Sequence, residues 1–133
     1  MPQQYRHDNH SVTLVNYHFV FIPKRRRPVL VGEVEKHCRE LIWEAAKKIE
    51  CNVISLEIMP DHVHLFLNCP PTVAPHQIMF RIKGYSSSEL RKKFPHLKKM
   101  PSMWTRSYFC TTAGNVSSET IKRYIENQRT VGR

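Results

Sequence analysis

Strand-like and helix-like segments follow one another along this chain in an order that few folds can accommodate. Residues 12–23 are rich in β-branched and aromatic residues and end at a proline, which is typical of a strand. Residues 33–50 carry apolar side chains at helical spacing with charges between them, so they predict an amphipathic helix. Residues 52–58 predict a second strand, and Pro60-Asp61 predicts a tight turn into a third.

A second long helix follows the third strand. Apolar residues at helical spacing predict it over about residues 74–94, although Gly84 weakens its middle. Ser86 and Glu89 match a helix-capping pair, which predicts a fresh helical start at that point.

The chain then continues through a basic loop into a fourth strand, predicted over residues 107–112. A last helix follows, which Ser117 or Ser118 caps and which runs to about Arg129. The order β-α-β-β-α-β, followed by a helix, predicts an α+β fold of the ferredoxin-like or RRM-like type. In that fold an antiparallel sheet carries two helices on one face, and here a C-terminal helix is added.

The 133 residues suit a single domain with a buried core. We expect residues 1–10 to be flexible and residues 117–129 to form the C-terminal helix.

The third strand places two histidines on one of its faces. In residues 59–68, M-P-D-H-V-H-L-F-L-N, apolar residues alternate with His62 and His64. Successive side chains of a strand point to opposite sides, so these two imidazoles lie next to each other on the same surface. A single strand histidine is usually a half-buried residue bonded to a neighbour, and that interpretation stays open for either ring alone.

The last helix carries a second polar pair. Ile121, Tyr124, Ile125 and Gln128 are spaced so that they share one face of the helix. The isoleucines explain docking of the helix, and Tyr124 and Gln128 then stand at the docked surface. Helix geometry alone does not distinguish them from polar residues at the margin of an ordinary amphipathic helix.

Taken together, the two pairs suggest phosphodiester chemistry. The α-carbons of His62 and His64 are about 6–7 Å apart on a strand, so both rings can reach one metal ion. The amide oxygen of Gln128 can serve as a third ligand, with positions left for phosphate oxygens. The phenol of Tyr124 can act as a nucleophile.

The charge of the chain fits a polyanionic partner. There are 21 Lys and Arg against 11 Asp and Glu, so the net charge is +10. The basic residues cluster, and the clusters provide the candidate nucleic-acid contacts Lys24, Arg25, Arg26, Arg27, Lys92 and Lys93. Each cluster alone is more simply a solvated surface.

The cysteines and the hydropathy exclude other classes. Cys38, Cys51, Cys69 and Cys110 lack the close spacing of zinc ligands and are interpreted as small core residues. No apolar run approaches the roughly 20 residues of a membrane span, and the polar N-terminus does not match a signal peptide. We therefore expect a cytoplasmic protein with no membrane partner.

These motifs also resemble a known family. His62-Val63-His64 resembles the histidine–hydrophobe–histidine (HUH) motif, and Tyr124 with Gln128 resembles the Y-x-x-x-Q of the single-tyrosine HUH transposases of small insertion sequences. The resemblance extends from Y-H-F-V-F at Tyr17 through M-P-D-H-V-H-L and I-K-G-Y-S-S-S-E-L-R to W-T-R-S-Y-F and Y-I-E-N-Q. A departure occurs at Ile22-Pro23, before the basic run.

The resemblance implies a transposase that cleaves and rejoins single-stranded DNA without ATP. In the family the histidines matching His62 and His64 bind a divalent ion, Mg2+ or Mn2+, and the glutamine matching Gln128 completes the site. The tyrosine matching Tyr124 attacks a DNA phosphate and leaves a 5′-phosphotyrosine and a free 3′-OH. The resemblance further implies recognition of hairpins near the element's ends and a homodimer, with the C-terminal helix shared between subunits. By ligand softness alone, imidazoles suit Mn, Zn or Co better than Mg.

Other interpretations of the residues remain open. A ferredoxin-like sheet can act as a non-catalytic module that binds single-stranded nucleic acid, although the aromatic strand signature of RNA-recognition modules is missing. HUH replication initiators and relaxases usually occupy longer chains. A metal-dependent hydrolase would release its product, whereas a transposase of this type keeps a covalent link to DNA. His18, in the first strand, can approach the histidine pair, but a local hydrogen-bonded role suits it better.

Overall fold

The computed structural model describes residues 6–7, 12–13, 15–112 and 118–131. Its strands are β1 (Arg6–His7), β2 (Val12–Thr13), β3 (Val15–Phe21), β4 (Asn52–Met59), β5 (His62–Cys69) and β6 (Phe109–Thr111). Its helices are α1 (Gly32–Lys48), α2 (Pro75–Lys93) and α3 (Ser118–Val131). Two short 3₁₀ turns cover Lys24–Arg26 and Pro95–Lys99.

Four of the strands form one sheet in the order β4-β5-β3-β6, and each neighbouring pair is antiparallel. β1 and β2 make a separate two-stranded pair. The composition of β3 and β5 suits their central position, because β3 is rich in β-branched and aromatic residues and Val63, Leu65 and Leu67 of β5 are fully buried. The α+β arrangement predicted from the sequence is confirmed.

The core lies between the sheet and the first two helices. Alternate residues of the central strands, such as Phe19 and Leu65, are fully buried against helix residues such as Ile42 and Ile82. Burial of one such side chain contributes about 1.5–3 kcal/mol. Cys38, Cys51 and Cys69 are buried in this cluster and Cys110 is half-buried, as predicted for small core residues. Burial raises the pKa of the Cys38 thiol to about 12.

The predicted helical restart at Ser86 is wrong, since α2 continues unbroken through this position. The Ser86 hydroxyl is fully buried and donates to the carbonyl of Ile82, 2.7 Å away, inside the same helix. It also accepts a hydrogen bond from Trp104 Nε1 at 3.0 Å. The hydroxyl is thus directed at the preceding turn and at Trp104, and not at the backbone N–H groups of a following turn, which a cap would bind.

Two strand boundaries differ from the prediction. The predicted strand over 12–23 is divided into β2 and β3, and residue 14 lies outside the described residues. The predicted strand over 107–112 is reduced to β6, and just before it the backbone carbonyl of Ser107 accepts a hydrogen bond from Lys83 Nζ.

The N-terminal prediction falls mostly on residues outside the described ones. Of residues 1–10, only Arg6–His7 are described, and they pair with Val12–Thr13. In the described part of the chain, no helix combines the length and the apolar character needed to cross a membrane.

Candidate active site

β5 places His62 and His64 on the sheet face opposite the core. The strand alternates half-buried and buried residues from His62 onward, so the imidazoles face away from Val63 and Leu65. The two ring centroids are 4.9 Å apart and the rings meet edge to face. The sequence predicted this shared face.

A carboxylate orients the first of the two histidines. Asp61 Oδ1 accepts a hydrogen bond from His62 Nδ1 at 2.8 Å. Because an ionised carboxylate can only accept, Nδ1 donates this bond, which leaves Nε2 as the ring nitrogen available to a metal ion. Partial burial raises the pKa of Asp61, but the hydrogen bonds and charges of His62 and Arg26 outweigh it and hold that pKa below its usual value.

Arg26 supports this carboxylate from the other side. Its Nε donates to Asp61 Oδ2 at 2.9 Å, and both side chains are about three-quarters shielded from solvent. The 3₁₀ turn that presents it is strained, because Arg25 and Arg26 have φ angles of 59° and 54° in the left-handed region. Such a conformation costs about 1–2 kcal/mol per non-glycine residue, so the surrounding contacts must compensate for it.

The second histidine is surrounded by rings and kept neutral. Burial lowers the pKa of His64, and the nearby His62 and His18 lower it further, while Glu57 on β4 acts in the opposite direction. His18 stacks on His64 with centroids 5.7 Å apart, so it lies beside the pair and not in a purely local contact. A neutral imidazole is the form that coordinates a metal.

Tyr124 projects from α3 against the last strand of the sheet. Its ring centroid is 6.0 Å from that of Phe109, and its Oη is 3.1 Å from Ser107 Oγ. Burial raises the pKa of Tyr124, and the hydrogen bond from Ser107 partly opposes that shift. α3 also contacts the Lys24–Arg26 turn.

The sheet register relates the tyrosine to the histidines. Val20 of β3 pairs with His64 of β5 on one side and with Phe109 of β6 on the other. Paired residues share a face, so Phe109 and His64 lie on the same surface with their backbones about 10 Å apart. Tyr124 therefore packs at the β6 edge of this face, next to Phe109.

The donor set fits a metal ion in part. Among the described residues, no group of three or more His, Cys, Asp or Glu side chains has a geometry suited to a metal. His62 and His64 supply two nitrogen ligands, and Asp61 provides the outer hydrogen bond that such ligands usually have. Gln128 lies in α3, one turn beyond Tyr124, and its side chain is outside the described part of the structure.

The predicted DNA contacts differ in their surroundings. Arg25, Arg27, Lys92 and Lys93 are exposed, and Lys24 is half-buried. Lys92 forms an ion pair with Glu89 at 3.3 Å, which is weak at an exposed site. Arg26 is directed into the site by its ion pair with Asp61.

A second surface lies on the helix side of the sheet. A groove of about 1110 Å³ separates α2 from the segment that leads into β6, and Arg81, Arg106 and His76 supply polar and cationic groups to it. Phe80, which also lines it, is 76% exposed. Cationic and aromatic side chains in one groove suit a nucleic-acid strand. The sequence assigned no role to these residues, although Arg106 falls within the W-T-R-S-Y-F motif.

Sequence reasoning also missed the residues that hold the site in place. Asp61 was interpreted only as a turn residue, and its position next to His62 was the available signal. Lys83 and Ser107 lie within motifs of the family resemblance, but their roles had no local signal, because their contacts join distant parts of the chain.

Comparisons with known proteins identify the family of this chain. Residues 11–128 match the family described as "Transposase IS200 like". The ISDra2 transposase TnpA of Deinococcus radiodurans is 31% identical over 131 residues, which cover 96% of this chain and 94% of the relative. The transposase for insertion sequence element IS200 of Salmonella typhimurium is 30% identical over 115 residues, covering 84% of this chain and 75% of the relative.

Solved structures show the same likeness. The crystal structure of a putative transposase from Deinococcus radiodurans R1 superposes with a TM-score of 0.86 at 31% identity, covering 92% of this chain and 97% of that one. A REP-associated tyrosine transposase bound to a REP hairpin shares the fold, with a TM-score of 0.54 at 13% identity over 91% of this chain and 68% of that one. The family match spans most of the sequence, from before β3 into α3, so this chain belongs to the IS200-like transposase family.

Proposed function

We propose that this protein is the DNA transposase of an insertion sequence and that it cleaves and rejoins single-stranded DNA through a covalent bond to Tyr124. The observation that carries the proposal is the contact of Tyr124 with Phe109, whose strand register puts it on the same sheet face as His64. Membership of the family supports the biological role. The net charge of +10 supports a nucleic-acid substrate.

The proposed reaction exchanges one phosphodiester for another. Tyr124 Oη attacks a backbone phosphorus, a tyrosyl O–P bond forms, and the bond from phosphorus to the 3′ oxygen breaks. The phenol loses its proton, the 3′ oxygen gains one, and the products are a 5′-phosphotyrosine and a free 3′-OH. A later attack by another 3′-OH reverses the link, so the bond energy is conserved and no ATP is required.

Residues of this chain prepare the nucleophile. A phenol whose pKa is raised by burial is neutral near pH 7, so it must lose its proton as it attacks. Ser107 lies within hydrogen-bond distance of Oη and favours the ionised form, because its hydroxyl can donate to a phenolate.

We further propose that His62, His64 and Gln128 hold a divalent ion, Mg2+ or Mn2+. When bound, the ion would polarise a phosphate oxygen and stabilise negative charge as the tyrosine attacks. The contribution of the chain is to present two imidazoles side by side, with the first oriented by Asp61. This arrangement suits a metal site whose remaining positions are left for the DNA.

The proposed substrate is a single-stranded DNA hairpin near each end of the element, and the proposed working form is a homodimer. Exposed Arg25, Arg27 and Lys93 would contact phosphates. In the single chain described here, α3 lies against its own β6. Sharing of α3 between subunits therefore belongs to the proposal and requires the segment before Ser118 to reach a partner.

Formation of a covalent adduct tests the proposal. The protein is mixed with a labelled single-stranded oligonucleotide that contains an end of the element, and products are separated on a denaturing gel. We expect a protein–DNA band with the native chain and none with Tyr124→Phe, which keeps the ring and loses only the nucleophilic oxygen. His62→Ala, His64→Ala and EDTA should each abolish the band.

Control measurements distinguish the alternatives. The Tyr124→Phe protein should bind the oligonucleotide as tightly as the native chain, because the hydroxyl is a small part of the surface. Binding without any adduct in the native protein would favour a non-catalytic module. Cleavage without a covalent intermediate would favour a metal-dependent hydrolase. An adduct that persists in Tyr124→Phe would move the nucleophile to another residue.

A further inference from the structure

Lys83 of α2 has hydrogen bonds to three successive backbone carbonyls. Its Nζ donates to the carbonyl oxygen of Thr105 at 2.6 Å, and to those of Arg106 and Ser107 at 3.3 Å each. An ammonium has three N–H groups, so this arrangement uses the full donor capacity of the side chain. The contacts span 22 to 24 positions of sequence and fasten the segment 105–107 to the helix.

The segment 105–107 contacts the proposed nucleophile through its last residue. Ser107, its last residue, has its Oγ 3.1 Å from Tyr124 Oη. Its first residue, Thr105, is anchored on the other side, with its N–H donating to Ile22 and its hydroxyl to Pro23. Lys83 thus holds the middle and the end of a short connection whose beginning is already fixed.

The charge of Lys83 has no carboxylate partner within ion-pair distance in the described ranges. Burial lowers the pKa of its ammonium to about 8, so the environment opposes the charge. The three carbonyls and the ring of Tyr108, whose centroid is 5.9 Å from Nζ, compensate for the cost of burying this charge. A methionine of similar length could fill the space and could not bind the carbonyls.

We propose that Lys83 is a positioning residue for strand cleavage, which gathers the carbonyls of Thr105, Arg106 and Ser107 and thereby sets the Ser107 hydroxyl against Tyr124. Lys83 itself does not touch the DNA phosphate in this proposal. The inference rests on the proposed role of Tyr124 as nucleophile. It adds a contact, made from the opposite side of the sheet, that determines how the nucleophile is held.

Four proteins test the proposal: the native chain, Lys83→Met, Lys83→Arg and the control Lys36→Met. Lys36 is exposed on α1, so the control removes the same charge away from the segment. We expect Lys83→Met to form the covalent adduct about 10–100-fold more slowly than Lys36→Met, since small displacements of reacting groups have effects of this size. DNA affinity should be equal in the two, and Lys83→Arg should recover most of the rate because it retains the charge and donors.

Two further measurements separate positioning from general stability. In a Ser107→Ala background, Lys83→Met should slow the reaction by no more than about twofold, because its effect passes through the missing hydroxyl. The ionisation of Tyr124, followed at 295 nm as the difference from the matching Tyr124→Phe protein, should move to higher pH in Lys83→Met. This second readout does not need DNA, so it decides the inference even if the native chain forms no adduct and the proposed function fails.

Equal rates in Lys83→Met and Lys36→Met would overturn the proposal, as would a full effect of Lys83→Met in the Ser107→Ala background. An unchanged Tyr124 ionisation would do the same. If Lys83→Met does not fold, Lys83→Arg takes its place: loss of Ser107 should slow it as much as it slows the native chain. If Lys83→Arg itself reacts slowly, a smaller effect of Ser107→Ala on its rate than on the native rate would support the link. An equal effect of Ser107→Ala on the two rates would then refute it.

Discussion

Arg26 Nε lies 2.9 Å from Asp61 Oδ2 and joins residues 35 positions apart in the sequence. The other oxygen of Asp61 accepts a hydrogen bond from His62. Asp61 therefore links the basic turn to the histidine pair through hydrogen bonds. The basic residues 24–27 look alike in the sequence but therefore have two different roles. Arg26 supports the candidate metal site, and its neighbours Arg25 and Arg27 face solvent.

Removal of the Asp61 carboxylate should weaken metal binding. Asp61→Ala leaves His62 without the hydrogen bond that orients its ring, and loss of such an outer contact typically costs about 10–100-fold in metal affinity. Isothermal titration with Mn2+ measures the effect. Glu40→Ala, which removes an exposed carboxylate from α1, is the control. Equal Mn2+ affinities in the two variants would contradict the role of Asp61.

Arg26 and Arg27 should differ although each carries one positive charge. Arg27→Met should reduce the slope of log affinity against log salt for single-stranded DNA by about 0.7, which corresponds to one phosphate contact. It should leave Mn2+ affinity unchanged. Arg26→Met should lower Mn2+ affinity, because Asp61 loses its partner, and should alter the salt slope less. Identical behaviour of the two variants in both assays would show that the ion pair has no effect on the site.

The ionisation of Tyr124 gives a prediction for pH. Burial raises the pKa of Tyr124 and the Ser107 hydrogen bond lowers it, so the raised value should rise further in Ser107→Ala. The absorbance difference at 295 nm between each protein and its Tyr124→Phe counterpart should show titration above pH 10, at higher pH for Ser107→Ala. Where proton loss limits the rate, the native adduct should form faster as pH increases from 7 to 9. A downward shift in Ser107→Ala would contradict this geometry.

Mixed dimers test whether α3 is shared. Tyr124→Phe and His64→Ala are each expected to be inactive alone. If α3 docks on the partner subunit, one site in a mixed dimer combines intact histidines with an intact tyrosine, so cleavage returns with DNA attached to the His64→Ala chain. If α3 docks on its own sheet, each site keeps one defect and the mixture stays inactive. Subunit exchange must be verified separately, for example with two differently sized tags.

The sequence predicted the parts of the molecule that depend on local periodicity. Alternation in β5 identified the shared face of His62 and His64, and helical spacing identified α1 and α3. The contacts that support the site depend on pairs far apart in the chain, such as Arg26 with Asp61 and Lys83 with Ser107. Ser86 shows the same limit, because its local pattern indicates a cap while a distant tryptophan determines its hydrogen bonding.

The buried core of the described residues is complete before α3 begins. Its members run from Phe19 to Trp104, and no described residue of α3 is among them. Substitutions at Tyr124 or Ser107 should therefore change catalytic rate with little change in melting temperature. Robustness of the fold and activity of the nucleophile are thus separable traits, which selection on a mobile element can adjust one at a time.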